Sequence, residues 1–437
     1  MVTFPAGAVA ALRWGRTGVQ EGPWLPALPR LALRHGAAVL PVHFAGRNSA
    51  LFQSLGLLHP ALRTAWLPRE AGRRGRRFRV TVGFPLGPAE LRSLSPASDL
   101  AAALRRHTLA LEPKASAALV KARRPLEACP GATQLASEAA ALALRGRALV
   151  DEGAYQVLWF RRHEAPALMR AVAVGREATF REAGEGTGAA LDEDIFDGTY
   201  DQVILWDRGA RAVAGGYRAV QAAGRWERPG PDGLYTATLF DLDPRLGADL
   251  EEALELGRSF IAAPWQRQAL PLLLLWRGVG AYALRVAGRQ RLFGCVSISP
   301  RYATSTQRLL LRFLAEAALD PVRAGWAHPR NEPRELLGHP GPRPEDLRGL
   351  ERWVAILEQG QASMPPLLKH YLTLGARVLA FNRDPAFNGT VDALIMLDLT
   401  AAPRPLLRRY LSPEDLARLA TPTGKTGATA WSPECAR

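Results

Sequence analysis

The chain has 437 residues, 48% hydrophobic and 22% charged, a composition that excludes disordered, collagen-like and coiled-coil proteins and supports two or three domains with real cores. Its net charge is +15, and +13 of that excess lies in the first 130 positions, where 19 basic residues meet 6 acidic ones. Such a local excess suits an anionic partner, a lipid surface or a nucleic acid, although nearly every basic residue is Arg in an Ala-, Gly- and Pro-rich chain, a bias that codon usage alone also produces.

Three scattered cysteines, Cys129, Cys295 and Cys435, exclude a disulfide framework or a closed zinc site and fit a reducing cytoplasm. No apolar run reaches the roughly 18 residues of a membrane span, the nearest being Ala269 to Trp276. The opening Met1-Val2-Thr3-Phe4-Pro5 has neither the basic nor the apolar region of a secretory signal. A soluble or peripheral protein is expected.

Residues 1–92 alternate short apolar runs with turn residues. Val2–Phe4, Ala38–Phe44 and Phe78–Val82 read as strands, with Leu28–Arg34 and Ala50–Leu58 as helices, an α/β pattern. Residues 93–150 are Ala- and Leu-rich with Arg105, Arg106, Lys121, Arg123 and Arg124, and read as a basic helical linker. A second α/β unit spans 151–411, and 412–437 thins into a flexible tail.

Within the second unit, Gln202–Trp206 meets Arg211–Val220 across a loop containing Gly209, a hairpin signal. A strand over Leu234–Leu242, a helix from Pro244 to Ala253 and a strand Leu254–Ala262 follow. A turn at Pro264–Gln268 then leads into an apolar helix to Val286, a strand Arg291–Ser299 and a helix Ser305–Ala318. Strand, helix, strand is a crossover, so Leu254–Ala262 and Arg291–Ser299 should lie parallel and close.

Several motifs resolve into ordinary structure. Gly278-Val279-Gly280 has the letters of a dinucleotide fingerprint but falls inside the apolar helix, and Thr423–Thr426 ends like a phosphate loop without the preceding strand. The eight His are dispersed, so no bound metal or cofactor is expected. The basic stretch Arg69–Arg79 carries Phe78 as its one aromatic, so no nucleic-acid partner is expected either.

Phe4-Pro5-Ala6-Gly7 and Val39-Leu40-Pro41-Val42 resemble two blocks of the 1-acylglycerol-phosphate acyltransferase (PlsC-like) family, which implies a partial PlsC-like α/β unit in which Phe4, Pro5 and Gly7 are a remnant of the acceptor phosphate loop. That family's H-x-x-x-x-D pair has no counterpart: no His has Asp five positions on, and the region that should hold the pair precedes Phe4. O-acyl transfer by this unit is not expected, whether the start is truncated or the domain vestigial.

Five stretches of the second unit resemble the GNAT acyltransferases, and within them the ornithine-lipid N-acyltransferases: Asp197–Asp201, Glu255–Ser259, Leu275–Gly278, Leu292–Ser299, and Pro365–Lys369 through Asp384–Phe387 to Asp392. The likeness covers roughly 155–400 and implies a mixed-sheet fold and acyl transfer from a thioester to an amine.

Such chemistry needs a path for the ammonium proton, backbone donors at the thioester carbonyl and a slot for the acyl chain. Glu255 heads the central strand and reads either as the proton acceptor or as a salt-bridge partner of Arg258, which alternation places on the opposite strand face. Tyr302 could return a proton to the leaving thiolate. Gln266, Arg267 and Gln268 precede the apolar helix and could cradle a phosphopantetheine phosphate. The usual loop glycines are missing there, which favours acyl carrier protein over acyl-coenzyme A as donor.

Trp276 reads as core or as acyl-slot wall, and Arg277 as a carrier contact or a solvated face. Asp384 and Asp392 read as acceptor-binding carboxylates or, for Asp384 before Pro385, as turn chemistry. The expectation is a bacterial enzyme at the cytoplasmic face, possessing a peripheral affinity for anionic membrane, that moves a long 3-hydroxyacyl group from acyl carrier protein to the α-amine of ornithine or a similar amino acid. An acyl-homoserine-lactone-type synthase and a degenerate membrane-associated binding module are the alternatives.

Overall fold

The computed structural model describes residues 2–7, 9–10, 21–46, 48–71, 79–94, 100–109, 111, 123–337 and 341–419. The chain forms two compact units, the first from Met1–Ser116, Ala303–Leu310 and Gly338–Met364, the second from Ala117–Tyr302, Leu311–Leu337 and Pro365–Arg437.

In the first unit, short helices accompany an antiparallel strand pair, β1 (Val42–Ala45) and β2 (Arg79–Val82), with Val42 opposite Val82. Ser49 caps the helix Ala50–Leu58 through Phe52 N, and Glu70 fixes that cap by accepting from Ser49 N at 2.7 Å and Ser49 Oγ at 2.8 Å. The expected strand Val2–Phe4 is not formed. Phe4 is 76% exposed and begins a turn closed by Gly7 N donating to Phe4 O at 3.0 Å, with Gly7 at φ +61°. Of the other two expected strands, Ala38–Phe44 forms only in its second half, whereas Phe78–Val82 forms over Arg79–Val82, Phe78 lying outside the described residues.

Residues 93–150 are not one linker. Helix Leu100–Leu109 belongs to the first unit, whereas helix Ala132–Leu144 and strand β3 (Ala148–Glu152) belong to the second. The expected tail 412–437 begins instead with the helix Pro413–Arg418, capped by Ser412 and tied to Arg285 through Asp415, while Lys121 and residues 420–437 lie outside the described residues. The second unit is also interrupted, because 303–310 and 338–364 join the first.

The second unit is built on eight strands: β3, β4 (Tyr155–Arg161), β5 (Asp201–Asp207), β6 (Ala212–Gln221), β8 (Ala253–Ile261), β9 (Arg291–Ile298), β11 (Arg377–Asp384) and β12 (Thr390–Asp398). Strands β7 (Phe240–Leu242) and β10 (Ala327–Pro329) make a separate antiparallel pair. The large sheet runs β11-β12-β9-β8-β6-β5-β4-β3, antiparallel throughout except at the β8–β9 pair created by the crossover. The hairpin β5–β6 and the parallel crossover follow the sequence pattern. Leu234–Leu242, expected as a strand, is mostly 3₁₀ turns, and only its last three residues pair.

Alternation along the strands feeds two cores. Leu158 and Phe160 of β4 and Ile204 and Trp206 of β5 pack with the helices Ala132–Leu144 and Pro166–Glu182. Val157 faces the other way, onto the helix Ala269–Ala281, where a Cβ on Gly278 would lie 2.2 Å from Val157 Cγ1. That close approach is why Gly occupies a helix interior here. Continuing through a π-helical turn, this helix spans Ala269–Ala287 and, by length and composition, is apolar enough to cross a membrane, a longer stretch than the sequence run suggested. Leu274, Leu275, Trp276 and Val279 are buried, each contributing about 1.5–3 kcal/mol, so within this unit it serves as a core helix.

Candidate active site

Strands β8 and β9 pair only from Ala253–Arg291 to Glu255–Phe293 and then part, although each continues for at least five more residues. At the fork Gly294, at φ +151°, lies so near β8 that a Cβ there would sit 2.1 Å from Leu256 O. Beyond the fork β8 is paired with β6 and β9 with β12. An edge of each strand therefore faces the gap, the kind of position where main-chain donors meet a carbonyl.

On the sheet face beneath helix Pro166–Glu182, the fork is surrounded by a dense polar cluster. Arg176 Nη1 pairs with Asp197 at 2.8 Å, and Arg218 Nη1 with Asp194 at 2.7 Å and Asp197 at 3.7 Å, all three of Arg176, Arg218 and Asp197 being buried. Burial raises the Asp197 pKa, but Arg176 and Arg218 outweigh it and hold this carboxyl far below the usual range. The Arg218 guanidinium also lies over the rings of Tyr235, Tyr200 and Phe196, at 4.8, 5.2 and 5.7 Å.

Glu255 is 1% exposed and fully engaged. Tyr200 Oη donates to Oε2, Thr236 N donates to Oε1 at 2.8 Å, and Tyr235 N approaches Oε2 at 3.3 Å. Burial raises its pKa, while those hydrogen bonds and Arg218 oppose the shift. The carboxylate thus anchors the turn Leu234–Thr238 onto β8.

Arg258 is not on the opposite face from Glu255. The register of β6 against β8 slips between Gly216 and Arg218, leaving an extra residue on β8, and Arg258 adopts φ +50° there. This bulge turns the guanidinium back to the cluster, with Nε 3.0 Å from Asp192, Nη1 3.3 Å from Tyr235 Oη and Nη2 3.5 Å from Asp194. A left-handed non-glycine residue costs about 1–3 kcal/mol, so these contacts hold a strained position.

Asp384 and Asp392 converge on the same face, both buried. Asp384 Oδ1 accepts from Ala386 N at 2.8 Å and Phe387 N at 3.2 Å, the turn chemistry that Pro385 suggested, while Oδ2 accepts from Tyr235 Oη at 3.3 Å. Asp392 Oδ1 accepts from Ser297 Oγ at 2.9 Å. Burial first, then the Asp384 charge, pushes Asp392 up to about 7 against the opposing Ser297 and Arg258. Glu185 lies on the loop just past helix Pro166–Glu182 with its carboxyl buried, and it is pushed up to about 8 by that burial and by Asp392.

The remaining expected residues lie elsewhere. Tyr302 lies in the turn that follows the end of β9, where its N–H donates to Ser299 O at 3.2 Å. Gln266 Nε2 donates to Ile261 O at 2.9 Å and Gln268 Nε2 to Pro264 O at 3.3 Å, so both side chains close the turn, and Arg267 is exposed beside them. Trp276 packs with His370, Tyr371 and Tyr410 in the core. Arg277 pairs with Glu152 at 2.6 Å.

Sequence reading missed Arg176, Glu185, Asp192, Asp194, Arg218 and Tyr235. The available signal was charge at positions that the periodicity buries, Arg176 on the inner face of a helix and Arg218 within an apolar strand.

A mixed sheet whose single parallel pair forks beside a buried polar cluster is the architecture of an acyl-transfer domain, and residues 176–276 match the acetyltransferase (GNAT) domain family. Two relatives place the chain more narrowly. It is 28% identical over 243 residues to a glycine Nα-acyltransferase of Bacteroides thetaiotaomicron, covering 52% of this chain and 71% of that protein. It is 31% identical over 218 residues to an L-ornithine Nα-acyltransferase of Rhizobium meliloti, covering 48% of this chain and 67% of that one. A second glycine Nα-acyltransferase, from Phocaeicola vulgatus, is 31% identical over 162 residues, 35% of this chain and 50% of that protein. No solved structure matches. The chain belongs to the GNAT-type amino-acid Nα-acyltransferase family.

Proposed function

We propose that the protein moves a long, 3-hydroxylated fatty acyl group from acyl carrier protein to the α-amine of ornithine, the first step toward an aminolipid. The observation carrying this reading is the number of acidic groups beside the fork: Glu185, Asp192, Asp194, Asp197, Glu255, Asp384 and Asp392 face three guanidinium groups, Arg176, Arg218 and Arg258, and the pKa values of Glu185 and Asp392, raised by burial and then by a neighbouring carboxylate, record that excess. That surplus of carboxylates suits an acceptor bearing a second ammonium more than zwitterionic glycine.

In this reading the thioester arm enters the gap between β8 and β9, main-chain N–H groups of the parted strands receive the carbonyl oxygen, and the acceptor lies over Ser297, Asp384 and Asp392. The turn at Gln266–Gln268 offers helix N–H groups to the single phosphate of the carrier's arm. Glycine is the competing acceptor, favoured by the names of two of the relatives.

The basic first unit would hold the enzyme on anionic membrane at the cytoplasmic face, as a PlsC-like remnant without O-acyl transfer. Salt-sensitive sedimentation with anionic vesicles and none with neutral ones is expected.

The deciding assay mixes the protein with 3-hydroxyacyl-acyl carrier protein and ornithine, lysine or glycine. N-acyl-ornithine as the dominant product is expected. Faster acylation of glycine would replace the acceptor, and no amide from any amine, with the donor shown competent, would overturn the reading.

A further inference from the structure

We propose that Asp392, and not Glu255, takes the proton from the acceptor's ammonium, and that Glu185 passes it on to solvent; this inference rests on the amine-acylation reading above.

The carboxylates of the cluster differ in how many of their lone pairs are already taken. Glu255 accepts from Tyr200 Oη, Tyr235 N and Thr236 N, and Asp384 from Ala386 N, Phe387 N and Tyr235 Oη. Asp194 and Asp197 are bound by Arg218 and Arg176, and Asp192, whose Oδ2 has no hydrogen-bond donor, is held by the Arg258 charge at 3.0 Å. Asp392 is as deeply buried, yet among the described residues it accepts one side-chain hydrogen bond, from Ser297 Oγ to Oδ1, leaving Oδ2 open. An unpaired carboxylate oxygen beside the opened stretch can take a donor when one arrives.

Position supports the same choice. Asp392 sits directly opposite Ser297, which lies beyond the fork on β9, so its side chain shares the sheet face of Cys295 and Ser297 at the opened stretch. Glu185 is held close by its neighbours. Asn388 of the β11–β12 turn donates to Gly184 O at 2.6 Å, and Ser299 Oγ donates to Ala183 O, pinning this loop between the ends of β9 and the hairpin. Glu185 senses the Asp392 charge and sits on a partly exposed loop, which makes it the next carboxyl on the way to solvent.

The groups facing Asp392 are Ser297 and Cys295 from β9, Asp384 and Asn382 from β11, Arg258 from β8, Tyr235 from the turn before β7, and Glu185. The ammonium gives one proton to the Asp392 carboxylate, and the freed nitrogen lone pair forms the C–N bond. The C–S bond breaks with its electron pair on sulfur, and the second nitrogen proton ends on the thiol. Glu185 carries the first proton to bulk water.

The test is the pH profile of kcat/KM for ornithine in unaltered protein and in Asp392→Asn, Glu255→Gln, Ser297→Ala and Glu185→Gln, with thermal melting confirming that each is folded. The unaltered protein should show an ascending limb centred near neutrality. Asp392→Asn should abolish that limb and lower kcat by about 10²–10⁴-fold, the usual contribution of a positioned base. Ser297→Ala should move the limb to higher pH, because a hydrogen bond favouring the anion is lost. Glu185→Gln should lower kcat less than Asp392→Asn does. Glu255→Gln should lower the plateau and keep the limb. A limb retained in Asp392→Asn, or lost in Glu255→Gln, would overturn this assignment while leaving amine acylation intact. If the unaltered protein acylates no amine, the proposed function fails and this inference with it.

Discussion

Replacing Glu255 separates anchoring from proton transfer. In Glu255→Gln the amide oxygen can keep the Thr236 N–H, and the new NH₂ can donate to Tyr200 Oη, but the Tyr200 hydroxyl proton then loses its acceptor. One buried donor left without a partner costs about 1–3 kcal/mol. In Glu255→Leu both Thr236 N and Tyr200 Oη lose their acceptor, while Tyr235 N keeps the Tyr200 oxygen at 2.8 Å, so the cost rises to about 2–6 kcal/mol. Urea unfolding followed by fluorescence of the second unit's tryptophans, Trp159, Trp206 and Trp276 among them, should rank the unaltered protein above Gln and Gln above Leu. Turnover should fall at least about tenfold in both, since the turn carrying Tyr235 loosens, one decade corresponding to ~1.4 kcal/mol of barrier. A Leu variant as stable as Gln, or either variant within 0.5 kcal/mol (roughly the surface-mutation scale) of the parent, would refute the anchoring role.

Asp197→Asn leaves Arg176 without its carboxylate and should destabilise the second unit by about 3–5 kcal/mol at neutral pH, measured by urea titration. Because the Asp197 pKa is depressed on folding, its stabilisation is complete above the ordinary carboxylate range and is lost as pH falls through the lower folded value. The difference between parent and variant should therefore shrink under acid, and a constant difference would count against the ion pair. Gly278→Ala should cost about 1–3 kcal/mol despite better helix propensity, and Val157→Ala in the same chain should recover part of it, a double-mutant cycle that reads the contact directly. Arg258→Gly should relieve the strained backbone yet lower turnover, because Asp192 loses its partner; equal turnover would remove Arg258 from the site.

Local chemistry made the crossover legible. Two apolar runs flanking an apolar helix long enough to cover a sheet permit little besides a parallel pair, and Leu254–Ala262 with Arg291–Ser299 became β8 and β9 within a residue at each end. The β5–β6 hairpin was equally plain, because its turn residues lie between adjacent strands. Val2–Phe4 had the residues of a strand but no strand partner among the described residues, and the strand pattern over Leu234–Leu239 yielded to Glu255, whose carboxylate holds that backbone in turns. The side of the sheet on which Arg258 projects was not readable, since a bulge depends on register with β6 and strict alternation predicts the opposite face.

What the sequence determined by itself is whatever depends on neighbours along the chain: strand and helix periodicity, the crossover, and the residue types of an acyl-transfer domain. Tertiary structure alone decided how the charges are shared. Glu255, Asp384 and Asp392 come from different strands and Glu185 from a loop, and which of them keeps a free lone pair depends on donors supplied by turns and strands far away in sequence. A carboxylate's chemistry is set by its burial and its partners, and neither is a property of the residue or its sequence neighbours.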